Sequence, residues 1–106
     1  LQVYVENGHA IIFKGKGARK LEKVLDSVGK QARTIAEFGI GTNEKAIITG
    51  NILEDEKVVG TCHIALGNNA GFGGKVNVQL HLDGIIKKPT IWVDDKRVVY
   101  NGKLII

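Results

Sequence analysis

The chain has 106 residues, 43% of them hydrophobic, and 15 Lys plus Arg against 11 Asp plus Glu, a formal charge of +4. That balance predicts one folded domain, residues 1–106, with a modest core rather than a disordered segment. No apolar run approaches the ~20 residues of a membrane span, and the basic excess is spread over helix and turns without the aromatic-interleaved stripe of a nucleic-acid binder. Neither a membrane nor a nucleic acid is an expected partner.

In chain order, residues 1–13 divide at Glu6-Asn7-Gly8, a strong hairpin signal because Asn and Gly tolerate positive φ. The chain opens on Leu1 in mid-strand with no leader pattern, as expected of a fragment with an upstream region. After the Lys14-Gly15-Lys16-Gly17 break, Leu21, Val24, Leu25 and Val28 recur at helical spacing, which predicts an amphipathic helix over 18–31, weakened at Gly29. Residues 34–39 return to strand character, and Gly39, Gly41 and Asn43 open a long loop that runs to about Leu53. Residues 58–66 read as a strand with Thr61, His63 and Ala65 on one face and Cys62, Ile64 and Leu66 on the other. A glycine and asparagine loop, 67–74, leads to a second such strand, 76–83, where strict alternation places Asn77, Gln79, His81 and Asp83 on one face. A final hairpin pairs 90–93 with 97–100 around Asp94-Asp95, and Asn101-Gly102 turns the chain into its last apolar residues. The fold class is therefore α+β, with one amphipathic helix packed on an antiparallel or mixed sheet. Leu21, Val24, Leu25 and Val28 are expected to meet Ile64, Leu66, Val78 and Leu80, and Tyr4, Phe13, Phe38, Trp92 and Tyr100 are expected to pack in the core.

Three imidazoles and a few acids outside the helix define the available chemistry. His9 follows the hairpin glycine and is read as solvent-exposed. His63 lies in an apolar strand, where a polar ring needs a partner. Glu37 sits between Ala36 and Phe38, where a carboxylate needs solvent, a cation or a basic group. His81 and Asp83 are i,i+2 neighbours on one strand face and can converge on one cation. Carboxylates mixed with imidazoles suit Zn²⁺, Co²⁺ or Mn²⁺ rather than Ca²⁺. On residues alone, a solvated strand face with structural histidines reads the same way. The single Cys62 excludes an intrachain disulfide, fits a reducing, cytoplasmic setting, and is expected to point inward.

Four motifs in order, Ala36-Glu37-Phe38-Gly39-Ile40-Gly41-Thr42-Asn43, Gly50-Asn51-Ile52-Leu53-Glu54-Asp55-Glu56-Lys57, Gly60-Thr61-Cys62-His63-Ile64-Ala65-Leu66-Gly67 and His81-Leu82-Asp83, resemble the carboxy-terminal part of the thermophilic aminopeptidase (aminopeptidase T) family of metallopeptidases. The resemblance covers most of the chain. It implies a fragment of a larger two-domain, homodimeric, two-metal exopeptidase that removes amino-terminal residues from peptide substrates. Glu37 would then be the metal-bridging or base carboxylate, Glu56 a further acidic ligand, His63 a ligand, and His81 with Asp83 the final ligand pair. The cofactor implied is two divalent transition-metal ions, Zn, Co or Mn. The chain lacks the family's Pro-x-Gly-Glu ligand motif, carries Asn68, Asn69, Ala70, Gly71 and Phe72 where the family has a tyrosine, and has an extra pair, Gly60-Thr61, between Glu56 and His63. The expectation is an active full-length parent and an inactive isolated chain. The alternative is a non-catalytic structural or interaction domain that retains relic metal-ligand positions.

Overall fold

A computed structural model describes residues 1–105, with Phe72 described by its backbone alone. The chain divides into two compact units, Leu1–Glu37 with Ala65–Leu82 and Phe38–Ile64 with Asp83–Ile106. The arrangement is α+β, with helical segments packed against antiparallel sheets.

In the first unit, β1 (Gln2–Glu6) and β2 (His9–Lys14) form an antiparallel hairpin with Glu6 opposite His9. Asn7 and Gly8 take φ of 53° and 75°, the left-handed pair whose twist matches the flanking strands. Helix α1 (Ala18–Val28) follows, and Gly29, at φ 135°, turns the chain out of the helix into a short 3₁₀ segment, Lys30–Arg33. The helix thus ends three residues before the boundary read from periodicity. The core joins Ala10 and Phe13 of β2, Ala18 and Leu25 of α1, Ala32 and Leu66, with Leu21, Ile35 and Leu80 at its edge. Ile64 and Val78 lie outside this cluster, and Val24 and Val28 are exposed. A two-stranded hairpin is too narrow to cover a four-residue stripe, so α1 buries mainly Leu25, and alanines bring the elements close. Arg33 ties the 3₁₀ segment back to α1 through Asp26 at 3.0 Å and Glu22 at 3.4 Å, and lies over the Phe13 ring.

The second unit contains helix α2 (Ile52–Asp55) and the antiparallel strands β6 (Ile91–Val93), β7 (Lys96–Tyr100) and β8 (Lys103–Leu104). Asp94 and Asn101-Gly102 occupy left-handed turn positions at the two reversals. Val99 is buried; Trp92 and Tyr100 are more than half exposed. Of the five aromatics expected in the core only Phe13 is buried, because the others stand on small sheets with an open face.

Strands β3 (Ile35–Ile40), β4 (Thr61–Gly67) and β5 (His81–Lys87) form a sheet of order β3-β4-β5. Gly41 N–H donates to Thr61 O and Gly67 N–H to Thr34 O, while Asn68 N–H donates to Leu80 O and Lys88 N–H to Gly60 O. Bonds of this pattern at both ends make each neighbour antiparallel. β5 begins at His81, not at residue 76. Asn69 takes the place of a ladder partner: its N–H donates to Val76 O and its Oδ1 accepts from Val76 N–H, while Asn68 Nδ2 donates to Asn77 Oδ1 and Val78 O. Asparagine side chains compete with the backbone in this way, and they hold 76–80 as a loop despite its alternation. Among the described residues no helix is long and apolar enough to cross a membrane.

Candidate metal centre

Glu37 leaves the middle of β3 half-buried, and its Oε2 lies 3.6 Å from Nε2 of His81, the first residue of β5. The other imidazole nitrogen, Nδ1, is 3.0 Å from the carbonyl oxygen of Asn68. A carbonyl only accepts, so Nδ1 carries the proton and donates, which directs Nε2 at the carboxylate. Nε2 and the Glu37 carboxylate thus face each other at 3.6 Å. Fixing one ring nitrogen on a backbone carbonyl so that the other can coordinate is the usual support of a metal-binding histidine.

His63, on β4, is 7% exposed. Its ring packs over Gly39, where an added Cβ would lie 2.3 Å from Cε1, so only glycine leaves room for the imidazole. Its Nε2 is 3.9 Å from Oε2 of Glu56. Glu56 is placed by α2, which starts at Asn51, whose Oδ1 accepts from Leu53 N–H. The buried Asp55 carboxylate accepts from Thr49 N–H at 2.8 Å and Gly50 N–H at 3.1 Å, fastening the preceding loop to the helix.

Two imidazole–carboxylate pairs result, Glu37 with His81 in the first unit and Glu56 with His63 in the second. Donors arranged tetrahedrally at about 2.0–2.2 Å from one ion stand roughly 3.3–3.6 Å apart, so the 3.6 and 3.9 Å pairs need only slight closure. Mixed imidazole and carboxylate donors fit Zn²⁺, Co²⁺ or Mn²⁺. Among the described residues each unit therefore holds one imidazole–carboxylate pair that could offer donors to a divalent ion. Of the residues singled out in the sequence, Glu37 and His81 form one pair, Glu56 and His63 the other, and Asp83 stands on β5 two positions after His81.

His9 belongs to neither pair; it was expected to be solvent-exposed and is instead half-buried, bridged to Thr34. Cys62 is buried, and burial pushes its thiol above the ordinary value, so it is not poised as a nucleophile or ligand. Sequence reasoning missed Asp55, Gly39 and Asn68 as supports. The Asn51-x-x-Glu54 spacing is a helix-start signal that would have placed α2 and, with it, Asp55.

Comparison of the chain with protein-family models, curated protein sequences and solved structures gave no match. The resemblance to the thermophilic aminopeptidases rests on the four motifs alone.

Proposed function

We propose that these residues form a two-ion centre for metal-assisted hydrolysis, and that the reaction is removal of amino-terminal residues from peptides, the chemistry of the family that the motifs resemble. The observations that support the reading are the two imidazole–carboxylate pairs, Glu37 with His81 at 3.6 Å and Glu56 with His63 at 3.9 Å. Two ions roughly 3.5–4 Å apart require a shared carboxylate, and when bound they supply Lewis acidity and an acidified water. Glu37 takes the bridging role in preference to that of a base. His63 and Glu56 would complete one ion's protein donors, and His81 and Asp83 the other's. Gly39 and Asn68 hold the two imidazoles in register.

Calorimetric titration of the chain with Zn²⁺, Co²⁺ and Mn²⁺, read beside hydrolysis of an amino-acyl reporter by the full-length protein, tests the reading. Two ions per chain are expected, with His63→Ala and His81→Ala each removing one and Glu37→Ala weakening both. No binding, or hydrolysis that persists in chelator, overturns the proposal. Binding without metal-dependent hydrolysis reduces it to a metal-binding domain.

A further inference from the structure

The second unit contains a cavity of about 460 Å³, within the roughly 300–1,000 Å³ range of small-molecule sites. Ile48, Val58, Val59 and Leu104 give it an aliphatic wall. Three cations, Lys87, Lys88 and Lys103, also line it, and no acidic residue does. Among the described residues none of these lysines makes an ion pair.

The backbone around the cavity is tightly built. Gly60 and Gly102 have φ of 87° and 84°, and Lys88 takes φ 49° without being glycine. A Cβ at Gly102 would stand 3.0 Å from Lys88 Cα and 3.1 Å from Gly60 O. Several main-chain donors here are engaged: Val59 N–H at Asn43 O, Thr61 N–H at Val58 O, Lys88 N–H at Gly60 O, Gly102 N–H at Pro89 O and Asn101 N–H at Thr90 Oγ1. Thr61 Oγ1 donates to Val58 O at 2.7 Å. The charged donors offered to a ligand are the three ammonium groups.

We infer that this cavity binds an alkyl carboxylic acid, with its chain on the aliphatic wall and its carboxylate among Lys87, Lys88 and Lys103. The charge favours an anion, and the apolar wall favours a hydrocarbon body over a bare inorganic ion. A peptide would bring several amide groups against the aliphatic wall, at a desolvation penalty. The inference is independent of the metal centre.

Calorimetric titration of the whole chain with octanoate and decanoate tests it, with octanol, inorganic phosphate and acetyl-alanyl-leucine as the comparison arms. Saturable binding of both acids is expected, tighter for decanoate by the added methylenes, and at least about tenfold weaker for octanol. Each of Lys87→Gln, Lys88→Gln and Lys103→Gln should weaken octanoate roughly two- to fivefold, as expected for solvent-screened pairs, while Lys16→Gln, in the other unit, changes nothing. Circular dichroism confirms that the variants fold. Absence of binding, equal affinity for octanol or phosphate, or indifference to all three lysine substitutions overturns the inference. Tighter binding of acetyl-alanyl-leucine than of octanoate does so too, and assigns the site to a peptide carboxy-terminus.

Discussion

Replacing Gly39 with alanine puts a methyl group where the His63 ring now lies. The new Cβ would stand 2.3 Å from Cε1 and 2.4 Å from Nε2, against an ordinary contact of at least 3.4 Å. Either the imidazole retreats by about 1 Å or β3 shifts, and a ring that is only 7% exposed has little space to retreat into. Overpacking of this kind costs about 1–3 kcal/mol, which corresponds to a fall in Tm of about 4–8 °C per kcal/mol for a domain of this size. In the proposed centre His63 is a ligand, and metal bonds tolerate only about 0.2 Å of displacement. Zn²⁺ affinity is therefore expected to fall at least 10–100-fold, roughly the scale of losing a supporting contact. Thermal melts with and without Zn²⁺, together with a Zn²⁺ titration, read both effects. An unchanged melting temperature with unchanged affinity would refute the packing of His63 on Gly39. A lowered melting temperature with unchanged Zn²⁺ affinity would remove His63 from the ligand set.

Three further outcomes follow from the same structure. Leu25→Ala, at a fully buried position, should cost about 2–5 kcal/mol in urea denaturation; a loss below 1 kcal/mol would show that α1 does not depend on this contact. Asp55→Ala removes the acceptor of two backbone N–H groups, with an expected loss of about 1–3 kcal/mol and faster hydrogen exchange at Thr49 and Gly50; unchanged exchange would show that the loop is held elsewhere. Burial raises the Cys62 thiol above 9.0, so the unfolded chain loses this proton first. Its contribution to stability is complete below that pH and declines as pH rises through it. Native labelling with a thiol reagent at neutral pH should be slow and become fast in denaturant; rapid native labelling would contradict the burial.

What was legible in the sequence was local chemistry. Asn7-Gly8 and Asn101-Gly102 announced their turns because few other pairs accept two successive positive φ values. His81 and Asp83 share a face because the i,i+2 rule holds within β5 wherever that strand begins. The start of β5 was misplaced because alternation in 76–80 carries no information about Asn68 and Asn69, which capture that segment from eight or so positions upstream. Tyr4, Phe38, Trp92 and Tyr100 have the residue type of a core but not the cover, since burial depends on what lies opposite. Val24 and Val28 illustrate the same point on the helix. The approach of Glu37 to His81 was beyond periodicity altogether, because it brings a residue of β3 to the start of β5.

The Asn69 clamp also separates the length of one loop from the geometry of the strand after it. Asn69 O accepts from Gly74 N–H, and Asn69 is bonded twice to Val76, so the segment between these residues is closed at its neck. Gly74 itself is fixed in kind, since a Cβ there would lie 2.2 Å from the Asn69 side chain. Gly71 has no such restriction, an added Cβ there meeting nothing within 4 Å. Each doubling of a flexible loop costs only about 0.6 kcal/mol. An epitope or reporter spliced in just after Gly71 would open only the single 3₁₀ turn Ala70–Phe72, closed by Gly73 N–H on Ala70 O, while the neck keeps β5, and the imidazole at its first position, in place.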